Sequence, residues 1–226
     1  MDIVNIFCFN TGQGTRRPIM HDDAYHHGNL RKALLDAGER LLERDGGGGL
    51  SLRDLARTAG VSHAAPYRHF ASKSDLLAAL ATRGFDRLHD KLDNISADAN
   101  LDARGQFLAS CKCYIDLGVA WPAMYRLMFG DAARLDHSNP ELREAGKGAF
   151  DSLVASIVRG QEAGFFRQGP PHVLAVTVWS LVHGLTDLAI AGQLSMDCDL
   201  APDGEDVSDA ACALLLSGLA LPDRHP

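Results

Sequence analysis

Residues 51–70 read SLRDLARTAGVSHAAPYRHF, and this stretch decides the fold of the chain. Apolar residues in its first half recur at the i, i+3, i+4, i+7 spacing of a short helix with one buried face, namely Leu52, Leu55, Ala56 and Ala59. Gly60 then permits the left-handed backbone that ends a helix abruptly. The spacing therefore predicts a helix, a tight turn and a second helix.

Serines mark the starts of these helices. Ser51 with Asp54 reads S-x-x-D, a pattern in which each side chain satisfies a backbone donor of the first turn. Ser62 is placed to cap the second helix, and Ser72 repeats the pattern in S-K-S-D before a third helix. We expect Pro66 to be tolerated inside the second helix, where its missing N–H forfeits one early backbone bond.

The second helix is predicted to present one outward stripe. Its members fall at i, i+1, i+4 and i+5, and they are His63, Ala64, Tyr67 and Arg68. Pro66 and Phe70 turn the other way, toward the core. A helix that presents small residues at its N-terminal end suits entry into the major groove of DNA.

This run resembles the helix-turn-helix of the tetracycline-repressor-like (TetR/AcrR) transcriptional regulators, L-x-x-L-A-x-x-A-G-V-S-x-x-x-x-Y-x-x-F followed by S-K-x-D-L-L. The resemblance implies base contacts by Arg68 and His63, and phosphate contacts by Tyr67, His69 and Lys73. The full predicted DNA-binding set is Arg53, Ser62, His63, Ala64, Ala65, Pro66, Tyr67, Arg68, His69 and Lys73.

The charge distribution restricts nucleic-acid contact to one part of the chain. The formal net charge is -7, which by itself disfavours a DNA partner. Residues 25–75, however, carry eight Lys or Arg against six Asp or Glu, whereas residues 76–226 carry 12 against 20. We therefore expect phosphate contact only at the helix-turn-helix end.

The five cysteines favour neither a disulfide framework nor a metal site. Their number is odd and their positions are scattered, which fits a reducing compartment. Cys111 and Cys113 are two residues apart on a predicted helix, so their side chains point about 200° apart and cannot share an ion. We expect no cofactor and no metal, and a cytoplasmic protein.

The chain divides into an N-terminal arm at residues 1–24, a DNA-binding domain at 25–72, a connecting helix at 73–96 and a C-terminal domain at 97–222. The predicted fold is all-α, with about nine helices, the first over residues 28–45. Four glycines at 46–49 are expected to form a flexible link, since no Lys-Ser/Thr follows them as in a phosphate-binding loop. Gly84 is a possible bend in the connecting helix.

Aromatic residues and methionines are dense in the C-terminal half. They are typical of a core, but they also suit the wall of a cavity for apolar molecules, and the sequence leaves both interpretations open. The resemblance implies an unidentified small, apolar effector. The candidate ligand-binding residues are Phe107, Cys111, Tyr114, Trp121, Met124, Tyr125, Met128, Trp179 and His183.

Trp179, His183 and Gly184 resemble the W-x-x-x-H-G signature of one C-terminal subgroup of this family. Trp179, His183 and Asp187 lie on one helical face, at i, i+4 and i+8. His183 is either a polar anchor in an effector pocket or a hydrogen-bonded histidine that fixes a dimer helix. We favour the second, since a polar group in a core must be paired in any case.

Residues 172–194 are apolar on nearly every side, and a second apolar stripe follows in the last helix. His183 and Asp187 interrupt the apolar window, so we expect no transmembrane span. A single chain has too little remaining sequence to cover the apolar faces of both helices. Two copies packing as a four-helix bundle would cover them, and the resemblance implies such a homodimer.

Our leading interpretation is a sequence-specific regulator, a ligand-responsive repressor that acts as a homodimer on a palindromic double-stranded DNA operator. A transcriptional activator of the same fold is the alternative. From a different class, Ser180, His183 and Asp187 lie on one helical side as in an esterase-like enzyme. A single rigid helix supplies no oxyanion donors facing the serine, so we expect no enzyme activity.

Overall fold

The computed structural model describes residues 23–129, 139–194 and 207–220, with no side-chain detail for 23–29 and 47. Over these residues the chain is all-α, as predicted, and the one pairing of extended residues is an isolated antiparallel bridge between Phe166 and Ala220. Its helices are α1 Asp23–Gly49, α2 Leu52–Ala59, a 3-10 helix Pro66–Arg68, α3 Lys73–Ser96, α4 Ala103–Ala120, α5 Pro122–Phe129, α6 Pro140–Glu162, α7 Pro171–Ile190 and α8 Val207–Leu219.

Five of these helices, α4 to α8, follow residue 101 in the described part of the chain. The predicted arm at 1–24 lies almost wholly outside the described residues, as does most of the acidic segment between α7 and α8. The division of the chain at 24, 72 and 96 stays a prediction.

The first helix begins earlier than predicted, and its regular part ends at residue 45 as predicted, because Gly46 breaks it before a short helical stretch over the remaining glycines. α1 continues to Gly49, interrupted at Gly46, where φ is 68° and ψ is 169°. Because Gly46 has no Cβ, it adopts this backbone without steric cost. Leu50 then enters the core, with 1% of its surface exposed.

The prediction that the second helix of the helix-turn-helix is an α-helix is wrong. Residues 63–65 form turns and only Pro66–Arg68 is helical, with i to i+3 bonds such as Ala65 N–H to Ser62 O at 3.0 Å. Pro66 has no N–H to donate to Ser62, so the α-helical bond cannot form and the tighter 3-10 pattern replaces it. The side chain of Ser62 makes no capping bond with the described residues.

α3 is the central helix of the molecule and packs on α1, α4, α5 and α6. Its helical backbone runs without interruption through Gly84. A Cβ at Gly84 would lie 2.6 Å from the sulfur of Met128, because α5 crosses α3 at this point. The glycine therefore permits a close helix crossing.

Candidate nucleic-acid interface and apolar cavity

The helix-turn-helix is held in place by the caps that the sequence predicts. Ser51 Oγ accepts the N–H of Asp54 at 3.1 Å, and Ser72 Oγ accepts that of Asp75 at 3.1 Å. Gly60 ends α2 in the left-handed conformation, with φ 69°. These contacts fix α2, the turn and the start of α3 as one unit.

The predicted DNA-binding residues divide by exposure. Tyr67 has 59% of its surface exposed, and Pro66 and Ala65 are buried, the latter at 9% exposure. The side chains of Ala65 and Pro66 face the core, so they do not belong to the outward surface. His69 and Lys73 are half-buried, and the fully exposed members are Arg53, Ser62, His63, Ala64, Tyr67 and Arg68.

Lys73, at the start of α3, has an intramolecular partner. Its ammonium donates to the carbonyl of Gly48 at 3.0 Å and so ties α3 to the end of α1. A lysine carries three donors, so this bond leaves donors for a phosphate. Lys73 therefore has a structural role that the sequence pattern did not indicate.

A cavity of about 250 Å³ lies in the C-terminal half, between α3, α4, α6 and α7. Its wall is mainly aliphatic and aromatic, with hydroxyl and amide groups and one arginine in addition. Its lining residues include Phe85, Phe107, Tyr114, Phe129, Phe150, Ser156, Arg159 and Trp179.

Four of the nine predicted ligand-binding residues line this cavity, and five do not. Those in the wall are Phe107, Cys111, Tyr114 and Trp179. Trp121 lies elsewhere, with its ring 4.7 Å from the guanidinium carbon of Arg87. Met124, Tyr125 and Met128 are core residues of α5, with 5% or less of their surfaces exposed.

His183 stands behind the cavity wall in a hydrogen-bonded cluster. Its Nδ1 lies 2.9 Å from the hydroxyl of Tyr114 and 2.7 Å from that of Tyr125. Trp179 Nε1 donates to the Tyr114 hydroxyl at 3.2 Å. Burial raises the pKa of Tyr114 to about 12, and burial also raises the pKa of Tyr125. His183 itself is half-buried, and its role stays a prediction.

The sequence analysis missed the cavity residues contributed by α3 and α6. Phe85, Leu88 and Leu92 follow the helical period of α3, and Phe150 and Leu153 that of α6. Both stripes had the pattern of ordinary core. Arg159 is isolated in sequence, so no motif signals it.

The structure gives no support to a metal site or a catalytic triad. No group of three or more metal-ligating side chains occurs among residues 23–129, 139–194 and 207–220. Cys111 instead contacts Cys212 of α8, and this contact together with burial raises the pKa of Cys111. Ser180 is exposed and makes no hydrogen bond with His183, which is held by the two tyrosines.

Helices α7 and α8 leave large apolar side chains exposed. Within α7, Val173 is 61% exposed and Val176 48%, and Leu214 of α8 is 74% exposed. In the described part of the chain, α7 is the one helix long and apolar enough to cross a membrane, with a mean hydropathy of 1.7. One such helix is weak evidence of a span, because core and interface helices have the same composition.

The two halves of the molecule meet at α5. The side chain of Glu43, on α1, accepts the N–H of Met124 at 3.0 Å and so caps the first turn of α5. At the other end of α5, Phe129 lines the cavity, 5.2 Å from Phe85 between ring centroids. A single short helix therefore contacts both the helix-turn-helix unit and the cavity.

Two family models match separate parts of the chain. The model described as bacterial regulatory proteins, tetR family, matches residues 34–80, and that described as tetracyclin repressor-like, C-terminal domain, matches residues 107–215. An HTH-type transcriptional regulator of Mycobacterium tuberculosis is 27% identical over 219 residues, which cover 84% of this chain and 92% of that protein.

Solved structures show the same architecture. A Rhodococcus protein of unknown function is 37% identical and has a TM-score of 0.74, over 88% of this chain and 100% of its own. AibR, crystallised with isovaleryl coenzyme A and operator DNA, is 19% identical with a TM-score of 0.58, over 84% of this chain and 97% of its own. At that identity the likeness shows the fold alone.

Together the helix-turn-helix and the matches define a helical DNA-binding protein that regulates transcription. The chain belongs to the TetR family of bacterial transcriptional regulators.

Proposed function

We propose that the protein is a ligand-responsive repressor that binds a near-palindromic operator as a homodimer in the cytoplasm. The observation that carries this proposal is the course of α3. The helix begins at Lys73, beside the proposed DNA-contact residues, and its later residues Phe85, Leu88, Leu92 and Ser96 form one wall of the cavity. A ligand that shifts α3 would therefore also shift the DNA-contact segment.

The homodimer is supported by the exposed apolar face of α7 and α8. Val173, Val176 and Leu214 are each close to half exposed or more, and a second copy packed on α7 and α8 would bury them. A twofold arrangement would set two helix-turn-helix segments in successive major grooves, about 34 to 36 Å apart on one face of the DNA. A matching operator is then an inverted repeat.

The effector response is supported by the largely apolar cavity between α3, α4, α6 and α7. AibR, which shares this fold, was crystallised with both a ligand and operator DNA. A ligand releases DNA only if it binds the non-binding conformation more tightly, so the cavity must differ between the two conformations.

The DNA-contact surface is proposed to consist of Arg53, Ser62, His63, Ala64, Tyr67, Arg68, His69 and Lys73. The exposed guanidinium of Arg68 has no hydrogen bond or ion pair with any described residue, and a free guanidinium suits the bidentate pattern of guanine O6 and N7. Tyr67 stands beside it with its ring in solvent.

The test begins with selection of operator sequences from a randomised library, followed by titration in fluorescence anisotropy. Wild-type protein is expected to select an inverted repeat and to bind it in a salt-dependent manner. Arg68→Ala is expected to lose about 1–3 kcal/mol of discrimination at one base pair in each half-site. Arg104→Ala, an exposed arginine of α4, is the matched control and should bind as wild type does.

Two results would contradict the proposal. One is a wild-type protein that prefers no sequence over bulk DNA at any salt concentration. The other is an Arg68→Ala variant that loses equal affinity for the selected operator and for random DNA. That result would indicate that Arg68 contacts phosphate and not a base.

A further inference from the structure

The cavity has an aromatic end near α5. Phe129 lies 6.3 Å from Trp179 and 5.9 Å from Tyr114 between ring centroids, and Phe150 lies 6.1 Å from Trp179. The one hydroxyl here, that of Tyr114, is already paired with Trp179 and His183. This end therefore offers apolar contact and little else.

The pairing of α3 with α6 locates the opposite end of the cavity, where the polar lining residues Ser96, Gln106, Ser156 and Arg159 occur beside apolar ones. The two helices run in the same direction, since Phe85 lies next to Gly146 and His89 bonds the hydroxyl of Ser152 at 2.7 Å. Later residues of α3 and α6 therefore meet at the far end, where Gln106 of α4 also bonds the carbonyl of Ser96 at 3.2 Å.

Arg159 and Ser156 converge at that far end. They are three residues apart on α6, so they share a face, and both line the cavity. Neither side chain has a hydrogen bond or an ion pair with any residue the structure describes. Arg159 is exposed and Ser156 is half-buried, so the Arg159 side chain lies at the solvent-accessible edge of the cavity.

We propose, building on the proposed function, that the effector is a linear monocarboxylic acid of medium chain length. Its hydrocarbon chain lies among the aromatic residues, and its carboxylate binds Arg159 and Ser156. A planar guanidinium matches a carboxylate with two parallel hydrogen bonds. The sequence predicts an apolar effector, and the carboxylate is what this proposal adds to that prediction.

The dimensions fit such a ligand. Phe150 and Arg159 are nine residues apart, about 14 Å along a helix with 1.5 Å rise per residue. The volume of about 250 Å³ lies just below the range of roughly 300–1,000 Å³ typical of drug-sized sites, so bulky multi-ring ligands are disfavoured. A narrow chain with one charged end uses both ends of the cavity.

The experiment measures binding of octanoate and of octanol, which has the same chain without the charge. Titrations follow tryptophan fluorescence, to which Trp179 in the cavity wall and the distant Trp121 both contribute, and they are repeated by calorimetry on the full-length protein. Wild type is expected to bind octanoate about 10–100-fold more tightly than octanol, since one charge-assisted pair in a partly dry site has that effect. Acetate, which lacks the chain, should bind at least about 100-fold more weakly than octanoate.

The variant Arg159→Gln should lose the preference for octanoate and keep its affinity for octanol. Arg143→Gln is the matched control, because Arg143 is an exposed residue at the opposite end of α6 and removes the same charge. It should leave both affinities unchanged. Circular dichroism of each variant checks that α6 is intact.

Equal affinity for octanoate and octanol in wild type, or an unchanged preference in Arg159→Gln, would overturn the proposal. So would tight binding of acetate, which would show an anion site without a chain site. Operator binding is measured on the same samples without ligand. Wild type that binds its operator but shows no preference for octanoate refutes the carboxylate alone, whereas loss of operator binding refutes the proposed repressor.

Discussion

The helix-turn-helix unit and the C-terminal half differ in how completely they bury their apolar side chains. In the first, Leu34, Leu42, Leu55 and Leu76 are completely buried, and the exposed residues are polar or basic with the exception of Tyr67 and small alanines. In the second, a cavity remains inside and apolar side chains such as Leu214 remain outside. The apolar core of the first unit is complete within one chain, whereas in our proposal the second is completed by a ligand and by another copy.

The largest expected effect concerns the outer face of the C-terminal half. Leu214→Glu would place a carboxylate in the proposed dimer interface, where burial of an unpaired charge costs several kcal/mol. The dimer dissociation constant should then rise by at least about 100-fold, as measured by sedimentation over a concentration series.

Val119→Glu is the control for Leu214→Glu. Val119 is also an exposed apolar residue, at 48%, but it belongs to α4 and not to the proposed interface. Its variant should dimerise normally. A wild-type protein that is monomeric at all concentrations would show that the C-terminal half needs no second copy.

The next effect concerns the packing behind the cavity wall. A Cβ at Gly118 of α4 would overlap Thr186 of α7 and lie 2.9 Å from the ring of Tyr125. Gly118→Ala should therefore lower the free energy of unfolding by about 1–3 kcal/mol, despite the better helix propensity of alanine. Denaturant unfolding at fixed protein concentration measures it.

Gly148→Ala is the matched control for Gly118→Ala, because Gly148 lies inside α6 with nothing within 4 Å of an added Cβ. It should stabilise the protein by up to about 1 kcal/mol. If both variants shift the unfolding free energy in the same direction, the close approach of α4 to α7 is not the cause of the change at Gly118.

A smaller effect concerns pH. Burial holds the pKa of Tyr114 at about 12, above the ordinary value of 10.0. The folded state therefore retains this proton when the unfolded state loses it, and the stabilisation present below pH 10 is lost as the pH rises toward 12. At pH about 11 the loss should be roughly 1 kcal/mol.

Unfolding free energies measured between pH about 9 and about 11 give a slope to which the raised pKa values of Tyr114 and Tyr125 both contribute. Tyr114→Phe should make the slope shallower, whereas Tyr67→Phe should not alter it, because Tyr67 is exposed in the helix-turn-helix unit. Identical slopes in the two variants would assign the alkaline loss to other groups.

The smallest effect concerns the junction of the two halves. Glu43 caps α5 through the N–H of Met124. Glu43→Ala should lower the free energy of unfolding by about 1 kcal/mol, the usual cost of a lost helix cap, and Glu43→Gln, which keeps an acceptor oxygen, by less. If α5 transmits the ligand signal, octanoate should release less operator from the alanine variant. Equal unfolding free energies in all three proteins would show that the cap is unimportant.

Local signals in the sequence predicted much of the helix-turn-helix unit. Ser51, Gly60 and Ser72 act where capping rules place them, since each contact joins residues no more than a few positions apart. Pro66 was the exception: its effect was recognised as one lost bond, but the loss converts the α-helix into a 3-10 helix. A proline so near a helix start leaves too few α-helical bonds for the helix to persist.

The cavity was predicted less well, and the reason is geometric. Trp121 and Met128 belong to the same aromatic and methionine-rich stretch as Tyr114, yet they pack on Arg87 and Gly84 instead of the cavity. Arg159 is brought to the cavity only because α6 lies along α3. Periodicity identifies the buried face of one helix, but it does not identify which helix that face meets.

The sequence by itself determined the helical class, the caps of the helix-turn-helix and the apolar stripes of the last two helices, because these depend on contacts between near neighbours in the chain. The tertiary structure alone decided where the cavity lies, which residues form its charged end and how α5 connects it to α1. These features depend on helices distant in sequence crossing at particular residues, and the positions of such crossings follow from the packing of the entire core.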